Sequence, residues 1–498
     1  MISIQDKVVK RQPNFWNNCL FHPTDAIEDS WGKRILDRIA ADRSIQTVRI
    51  YAMLEDIVYA DEEGNLQYDF RVSDLRIDYL LACGFDPLIA YAGIPDCIAA
   101  NTLCKTSNSK NKTRYKGKLF NTSAPSDYAL WEEVCYEYTR HLVERYGIDR
   151  VATWHLHCWN EPDVPAFLRS DLPEQEGEQQ QQRLEVYCKL YEAFVRGLMR
   201  VSDRFRIGGP ALACHTEFLE GFLNFVRERN LRIDYIALHN YPTTPMHLHN
   251  GSIPLSVENL LKKHAGYMDV INRCGFGDRE IVVDEWGASS HGFFNKDEAP
   301  ELIFRETEVF SAYFVRLIYD TIQAGDKITK LLICLSGQHE MTEDFSGFRN
   351  FFTLNFIAKP IYNAYILASK LGENLLAADG AKENTCVIPT RDEQGDYKVL
   401  LSYAASKFEE NIPCCDEFVT FPEDAVGKNV TVWCIDRENT NPYRLYERLG
   451  ITEPTAEQIK LLREEGKLKP IAQFVCGADC RVPLHLTPNA TVLITVSK

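Results

Sequence analysis

Eight short apolar runs, separated by segments of helical periodicity, occupy the first 370 residues of the sequence. The runs are FWNNCLF (15–21), TVRIYA (47–52), FDPLIAYAG (85–93), ATWHLHCWNEP (152–162), RIGGPALA (206–213), YIALHNYP (235–242), IVVDEWG (281–287) and LLICLSG (331–337). Between them, apolar residues recur with a spacing near 3.6, as at 128–147 and 184–202, which predicts helices. Strand–helix alternation predicts a parallel sheet, and eight such units close into a barrel. We therefore expect an α/β fold with a (β/α)8 TIM barrel over residues 15–370.

The pattern changes after residue 370. The segments NTCVIPTR, YKVLLSYA, NVTVWCID and ATVLITVS are short, alternate apolar and polar residues, and are separated by turn residues. This pattern is typical of an antiparallel β-sandwich, which we expect over residues 371–498. A helical pattern near 442–466 interrupts it as an insertion. The N-terminal residues 1–14 are expected to add a strand to this sandwich.

Charge and cysteine usage narrow the classes of partner. The formal net charge of −16 disfavours nucleic acid and anionic membranes, and no clustered basic face is evident. The start of the chain lacks the apolar region of a signal peptide, and no run of about 18 apolar residues could span a bilayer. The 16 cysteines are scattered, several within apolar runs, which suits reduced thiols. We expect a cytoplasmic protein that binds a small neutral ligand.

Candidate functional residues stand at the ends of three of the eight runs. In a TIM barrel the chemistry gathers at the C-terminal ends of the strands. The fourth run ends in Asn160-Glu161, the sixth in His239-Asn240-Tyr241 and the seventh in Asp284-Glu285-Trp286. Two glutamates are thus expected to face one cleft. Cleavage of a glycosidic bond with retention needs two carboxyl groups about 5–5.5 Å apart, one ionised and one protonated.

The motifs at these two strand ends resemble those of a known family. WNEP after the fourth run and DEWG after the seventh look like the acid/base and nucleophile motifs of the clan of retaining (β/α)8 glycosidases. Within that clan the chain most resembles glycoside hydrolase family 39, the β-xylosidase and α-L-iduronidase family. YGIDRVATWHLHCWNEPD, RIGGPALA, IDYIALHNYP and the insertion CIDRENTNPYRLYERLGITEPTAEQIKLL carry the resemblance, which covers nearly the whole chain.

The resemblance implies a role for each strand-end residue. Glu161 would be the general acid/base and Glu285 the nucleophile of a retaining exo-glycosidase. The residues expected to bind the substrate are Asn160, His239, Tyr241, Arg49, Tyr51 and Trp286. Asn160 would bond the sugar 2-hydroxyl, Tyr241 would hold an oxygen of the nucleophile, and Arg49 would keep that carboxylate ionised.

Three segments depart from the family pattern. Tyr51 stands where the family usually has a histidine, NCLFHPTD replaces a glycine-rich stretch after the first run, and LICLSGQHEMTED replaces a tryptophan-containing one after the eighth. The last departure affects the loop 335–345. The resemblance implies a pentopyranoside such as β-xyloside as substrate, and these departures leave an arabinoside, a galactoside or a uronide open. An iduronide is less expected, because the acidic charge suits a sulfated polyanion poorly.

Other classes of function fit the sequence less well. His155, His157, His247 and His249 are of metal-ligand type, but a zinc site needs three or four ligands and no Cys-x-x-Cys completes one. No Gly-x-Ser-x-Gly elbow indicates a serine nucleophile. A carbohydrate-binding protein without catalysis is the alternative from another class, since aromatic clefts also bind sugars. We expect a small carbohydrate substrate and neither metal nor cofactor, and the family resemblance leaves a homo-oligomer open.

Overall fold

The computed structural model describes the chain except for residues 22–26, 28, 107–119, 173–176, 326, 338–339 and 409–410. Parts of the atypical segment after the first run and of the loop 335–345 therefore lie outside the described residues. The strands are β1 (Ile2–Arg11), β2 (Asn18–Phe21), β3 (Thr47–Tyr51), β4 (Val58–Ala60), β5 (Leu66–Tyr68), β6 (Asp86–Tyr91), β7 (Lys105–Thr106), β8 (Phe120–Asn121), β9 (His155–Cys158), β10 (Arg206–Leu212), β11 (Tyr235–Asn240), β12 (Glu280–Trp286), β13 (Ile328–Leu335), β14 (Asn374–Asp379), β15 (Thr385–Arg391), β16 (Tyr397–Tyr403), β17 (Cys415–Thr420), β18 (Asn429–Ile435), β19 (Pro470–Val475), β20 (Arg481–Leu486) and β21 (Ala490–Ser497).

The α-helices alternate with the strands of the first part of the chain. They are α1 (Ser30–Ala41), α2 (Leu54–Ile57), α3 (Arg71–Ala82), α4 (Tyr128–Tyr146), α5 (Ile148–Val151), α6 (Glu178–Val201), α7 (Thr216–Glu228), α8 (Pro245–His249), α9 (Val257–Arg273), α10 (Glu308–Ala324), α11 (Pro360–Ser369), α12 (Pro442–Arg448) and α13 (Ala456–Glu465). Side-chain caps begin several of them: Asp127 accepts from Ala129 N at α4, and Ser256 accepts from Glu258 N at α9.

Eight parallel strands form a closed barrel. Their order around it is β2, β3, β6, β9, β10, β11, β12 and β13, and β13 closes on β2. Every run predicted to be a strand of the barrel overlaps one of them. The interior is filled by one apolar cluster, made of Leu88, Ala211, Tyr235, Ala237, Val282 and Leu332. The predicted (β/α)8 barrel is confirmed, and the strand ends that open above this cluster are where the site is formed.

Nine further strands form a separate sheet, while β4 with β5 and β7 with β8 form two-stranded sheets. The order of the nine-stranded sheet is β19-β18-β21-β16-β15-β14-β1-β17-β20, and its pairs are antiparallel except β1 with β17. The N-terminal strand β1 lies inside this sheet, between β14 and β17. Apolar side chains from β1, β16, β17 and β21 share one core, so the sheet curls around it. The predicted combination of a barrel and an antiparallel β domain is confirmed.

A helical pair connects β18 to β19 and packs on the barrel. Helices α12 and α13 form this insertion, where the sequence predicts helix at 442–466. Arg444 on α12 forms an ion pair with Glu308 at the start of α10, with 2.9 Å between Nη2 and Oε1, and Asn441 donates to the same carboxylate. The insertion is thereby fixed to the barrel helix that follows the β12 strand.

Within the described ranges, no helix has both the length and the hydrophobicity needed to cross a membrane.

Candidate active site

The two strand-end glutamates face each other at the C-terminal end of the barrel. Glu161 follows β9, and Glu285 is the penultimate residue of β12. One oxygen of each carboxylate and one nitrogen of His239 all lie within 4.8 Å of one another. The structure therefore brings together two carboxyl groups separated by 124 positions in sequence, and each has an oxygen within 4.8 Å of an oxygen of the other.

A β-bulge in β12 decides which side chains reach the site. Leu238 and His239 of β11 pair with Val283 and Glu285 of β12, so Asp284 is an extra residue on β12. A bulge reverses the alternation of side chains beyond it. Asp284 and Glu285 consequently both face the barrel interior.

The same bulge turns Trp286 away from the pocket. Its ring is fully buried and stacks on Tyr313 and Phe314 of α10, with centroid distances of 6.4 and 5.9 Å. The expectation that Trp286 binds substrate is therefore corrected. The residue packs in the barrel wall behind Glu285, because the bulge reverses which side chains of β12 point inward and which point outward.

The turn that carries Glu161 is strained and firmly held. Trp159 and Glu161 have φ values of 70° and 44°, in the left-handed region that side chains with a Cβ rarely adopt. The Glu161 amide donates to Ala211 O at 2.9 Å. Two residues further on, the buried Asp163 carboxylate accepts from the backbone N–H groups of 213–215 at 2.8–2.9 Å. These bonds fix the Glu161 turn to the loop after β10.

Glu285 is surrounded by donors and positive charge. Arg49 Nη1 donates to Glu285 Oε1 at 2.7 Å, and the Tyr241 hydroxyl donates to Oε2 at 2.7 Å. Burial by itself would raise the pKa of Glu285, but the charges of His239 and Arg49 and the Tyr241 hydrogen bond outweigh it and hold this pKa below its usual value. Glu285 is thus an ionised carboxylate at neutral pH.

Glu161 experiences the opposite environment. Burial raises the pKa of Glu161, and the negative charge of Glu285 adds to the rise. The hydrogen bond with His239, with 2.7 Å between Nδ1 and Oε1, opposes this rise without cancelling it. The two carboxyl groups therefore have pKa values shifted in opposite directions, as an acid and a nucleophile require.

Beneath the glutamates lies a buried charged group in which Arg49 and His239 are joined by Asp284 and His157, two residues to which the sequence reasoning assigned no role in binding or catalysis. Asp284 Oδ2 lies 3.2 Å from Arg49 Nε, 3.5 Å from His157 Nδ1 and 3.7 Å from His239 Nε2, and all four side chains are buried. Burial alone would lower the pKa of His239, but Glu285 and Asp284 raise it to about 10. Burial and the Arg49 charge lower the pKa of His157 to about 3. His239 is therefore a cation between the glutamates, and His157 is neutral.

Asn160 is placed to face the substrate. Its Oδ1 accepts from Arg49 Nη2 at 2.7 Å. Within the described part of the chain its buried Nδ2 has no hydrogen-bond partner. A buried amide N–H group without a hydrogen bond lowers stability unless a ligand accepts from it. The sequence assignment of Asn160 to a sugar hydroxyl remains a prediction, and this geometry suits it.

The pocket over the glutamates has a volume of about 550 Å³, within the range of small-ligand sites. Tyr51 and Tyr241 line it, and the Arg49 guanidinium lies 5.3 Å from the centre of the Tyr51 ring. Phe167 and Phe293 contribute aromatic surface to its lining. Of the six residues expected to bind substrate, Tyr51 and Tyr241 line this pocket, and Arg49 and His239 contact the glutamates behind its surface. Asn160 is bonded to Arg49, and Trp286 packs in the barrel wall.

Two cations of this pocket were missed by the sequence reasoning because they come from a loop and a helix rather than a strand end. Arg349 is buried, and its guanidinium carbon lies 4.6 Å from the Tyr241 ring centre. Lys263, on α9, donates from Nζ to Ala213 O and Tyr241 O at 3.1 and 3.2 Å. Burial lowers the pKa of Lys263. Neither residue lies in a recognisable motif.

Two of the histidines considered as metal ligands are paired with carboxylates other than the two central glutamates. His155 Nε2 lies 3.2 Å from Glu280 at the other end of the barrel, and His249 Nδ1 lies 3.3 Å from Glu301. In the described residues, two groups have three ligand-type atoms within reach of one ion: Glu161 with His239 and Glu285, and Asp163 with Cys214 and His215. The first contains the protonated His239 and adjoins Arg49, which disfavours a cation there.

Comparisons with known proteins show the family and the fold of the chain. The sequence model of the family described as Glycosyl hydrolases family 39 matches residues 2–478. A β-xylosidase from Caldicellulosiruptor saccharolyticus is 23% identical over 512 residues, which cover 97% of this chain and 95% of that protein. The α-L-iduronidase of Homo sapiens is 27% identical over 247 residues, which cover 45% of this chain and 33% of that protein.

The fold has a solved counterpart. The crystal structure of a monomeric β-xylosidase from Caulobacter crescentus CB15 matches with a TM-score of 0.80 and 19% identity, covering 100% of this chain and 99% of that one. At this identity the likeness shows the shared fold.

Proposed function

The chain belongs to glycosyl hydrolases family 39, and from that premise we propose that it hydrolyses a terminal glycoside with retention, by double displacement with Glu285 as nucleophile and Glu161 as general acid/base. The observation that carries the proposal is the pair of facing carboxyl groups, whose nearest ligand-type oxygens lie within 4.8 Å and whose pKa values shift in opposite directions. A carbohydrate-binding protein without catalysis would have no need of that split.

The first step forms a covalent glycosyl–enzyme. The ionised Glu285 attacks the anomeric carbon, the glycosidic C–O bond breaks, and Glu161 gives its proton to the departing oxygen. Asn160, whose buried Nδ2 has no hydrogen-bond partner among the described residues, is positioned to bind a hydroxyl of the sugar. Hydrogen bonds from Arg49 and Tyr241 hold the attacking carboxylate in place.

The second step releases the sugar. A water molecule attacks the anomeric carbon, the Glu161 carboxylate takes a proton from it, and the bond to Glu285 breaks. The cationic His239, 2.7 Å from Glu161 Oε1 and 3.6 Å from Glu285 Oε2, lies close to whichever carboxylate carries the charge. It thereby supports the transfer of negative charge between the two glutamates.

The proposed glycone is a β-xylosyl unit or a related sugar. Support comes from the family and from the β-xylosidase that aligns over 97% of the chain. Tyr51 lines the pocket beside both glutamates and is the position at which this chain departs from the expected histidine. Its ring occupies volume that a histidine would leave partly free, so one hydroxyl or exocyclic group of the glycone is expected to differ from xylose.

A uronide is a second candidate glycone, favoured by Arg349. Its guanidinium lines the pocket, and no carboxylate of the described residues forms an ion pair with it. A buried cation without an anionic partner is costly, and the carboxylate of a uronic acid would supply one. The position of Arg349 therefore favours an acidic glycone, although the net charge of −16 disfavours one.

The decisive experiment combines a substrate screen with product stereochemistry. The purified protein is offered 4-nitrophenyl β-D-xyloside, α-L-arabinoside, β-D-galactoside and β-D-glucuronide, and the anomer released first is followed by proton NMR. We expect turnover of at least one glycoside with the anomeric configuration retained. An inverted product would overturn the double displacement, and sugar binding without turnover would favour the carbohydrate-binding alternative.

We further propose that the protein works in a reducing compartment such as the cytoplasm. All 16 cysteines lie in the described part of the chain, all are free thiols, and most are buried. The expected readout is full activity in millimolar reductant. A homo-oligomer stays a prediction.

A further inference from the structure

Lys263 of α9 makes hydrogen bonds that take no part in the two proposed reaction steps. The side chain is half-buried and lines the active-site pocket. Its ammonium donates to the backbone oxygen of Ala213 at 3.1 Å and to that of Tyr241 at 3.2 Å. Ala213 directly follows β10, and Tyr241 directly follows β11. One side chain thus joins the ends of two neighbouring strands of the barrel.

The bond to Ala213 leads to Glu161. The backbone N–H of Ala213 donates to the Asp163 carboxylate at 2.8 Å. The amide of Glu161 donates to the oxygen of Ala211 at 2.9 Å. The segment that carries Ala213 therefore holds the Glu161 turn at two points, and a shift of this segment would move the turn with it.

The bond to Tyr241 leads to Glu285. The Tyr241 hydroxyl donates to Glu285 Oε2 at 2.7 Å. Because the side chain follows its own backbone, the position of the Tyr241 carbonyl group affects where this hydroxyl lies. Lys263 is therefore linked on one side to the support of Glu161 and on the other to a hydrogen-bond partner of Glu285.

The chemistry of the ammonium group suits this link. A hydrogen bond from an ionised donor is roughly twice as strong as one between neutral groups. A lysine ammonium has three N–H groups and can therefore donate to two separate carbonyl oxygens at once. Burial lowers the pKa of Lys263, and the nearby Asp163 carboxylate opposes this shift by its charge.

Tyr267, one turn further along α9, supports the Glu161 side alone. Its hydroxyl donates to the Ala213 oxygen at 3.2 Å, and the Lys263 ammonium lies 5.7 Å from the centre of its ring. Tyr267 and Lys263 thus share one acceptor, and of these two residues Lys263 also reaches Tyr241. The structure therefore contains a natural comparison between a residue that holds one side of the site and a residue that joins both.

We infer that Lys263 is a positioning residue that sets the separation of Glu161 and Glu285 by joining the strand ends that support them. Retention needs the two carboxyl groups about 5–5.5 Å apart, and a separation of about 6.5–9.5 Å suits inversion instead. A displacement of about 1 Å can cost about a hundredfold in rate. The inference rests on the proposed function, because that function gives the two glutamates their roles.

The test removes the ammonium and then returns it in solution. Lys263→Ala should lower kcat for the aryl glycoside selected by the substrate screen by about ten- to a hundredfold. KM should change by less than about threefold, because the lost group acts on the glutamates rather than on the sugar. Propylammonium, which reproduces the deleted atoms, should restore part of kcat, whereas tetramethylammonium, which has the charge but no N–H group, should not. Lys262→Ala, at the exposed neighbour on α9, is the matched control and should keep full activity.

Tyr267→Phe gives a second signature. It removes one donor from Ala213 and keeps the bond from Lys263 to Tyr241, so the acid side of the site is affected alone. Its loss of kcat/KM should be larger for a phenyl glycoside, which needs a proton from the acid, than for a 2,4-dinitrophenyl glycoside. Lys263→Ala should lower kcat/KM for both substrates, because attack by Glu285 is impaired as well. If Lys263→Ala does not fold by circular dichroism, Lys263→Met, which keeps the apolar stem, should show the same loss.

The outcomes separate this inference from the proposed function. Wild-type turnover together with a folded Lys263 variant whose kcat lies within about twofold of wild type would overturn the positioning role and leave the proposed function intact. A loss in KM alone would place Lys263 in sugar binding and overturn it too. So would a loss of kcat that propylammonium fails to restore or that tetramethylammonium restores equally, since packing or charge would then explain the loss. If the wild type cleaves no aryl glycoside, the proposed function fails, and the inference with it.

Discussion

Arg49 on β3 donates a hydrogen bond of 2.7 Å to Glu285 on β12, across the barrel and across 236 positions of sequence. Both side chains are almost entirely withdrawn from solvent. A buried carboxylate in contact with a guanidinium stays ionised, because losing the charge would leave the cation without its partner. The bond therefore fixes both the orientation and the charge of the carboxylate that we propose as nucleophile.

Glu285→Ala should lower kcat by at least about a thousandfold, since the attacking group is lost. Added azide should restore part of the turnover of an activated aryl glycoside and give a glycosyl azide of inverted configuration, which NMR identifies. Glu301→Ala, at an exposed glutamate paired with His249, is the control and should keep full activity. Near wild-type activity of purified Glu285→Ala would remove the nucleophile assignment.

Glu161→Ala should discriminate between leaving groups. The leaving oxygen of a 2,4-dinitrophenyl glycoside needs little protonation, whereas that of a phenyl glycoside needs a proton from the acid. The loss of kcat/KM should therefore be at least about a hundredfold larger for the phenyl glycoside. Azide should here give a glycosyl azide of retained configuration, opposite to the result for Glu285→Ala. Equal losses for the two substrates would argue against the acid role.

The pH profile should follow the two opposed pKa shifts. Glu285 has a lowered pKa and must be ionised, so kcat/KM falls only at low pH, where it becomes protonated. Glu161 has a raised pKa and must be protonated, so kcat/KM falls on the alkaline side, where it loses its proton. Glu161→Gln should flatten the alkaline limb and leave the acidic limb in place. A profile in which the variant keeps the alkaline limb would assign that limb to another group.

Asp284→Asn should change the charge of His239. Asp284 is one of the anions that raise the pKa of His239 to about 10, so replacing it by the neutral amide should lower that pKa. Histidine NMR titration measures this shift directly, and kcat should fall by about tenfold. Asp278→Asn, at an exposed aspartate, is the matched control. An unchanged His239 titration would show that Asp284 is only a packing residue.

Tyr51→His should shift specificity towards β-xyloside relative to the preferred sugar, by about 1–3 kcal/mol in the ratio of kcat/KM values. Tyr51→Phe separates the contribution of the hydroxyl from that of the ring, because it removes the oxygen alone. If the wild type already prefers β-xyloside and Tyr51→His leaves the ratio unchanged, Tyr51 is a wall residue without a part in specificity.

The sequence by itself determined the architecture and the two central glutamates. Eight apolar runs with intervening helical periodicity are local signals, and each run became a barrel strand because burial of its apolar residues requires it. Glu161 and Glu285 could be singled out because the ends of parallel strands meet at one rim of a barrel, whatever the details of packing. The change to short alternating runs likewise predicted the antiparallel domain.

Only the tertiary structure decided which neighbours join these glutamates. The bulge at Asp284 depends on the pairing of β12 with the strands on both sides, and strict alternation would have sent Trp286 inward and Glu285 outward. Arg349 reaches the pocket from a loop beyond β13, and Asp163 joins two loops that are about 50 positions apart. No local periodicity or motif encodes such contacts, because they arise from register and packing between segments that meet only when the barrel closes.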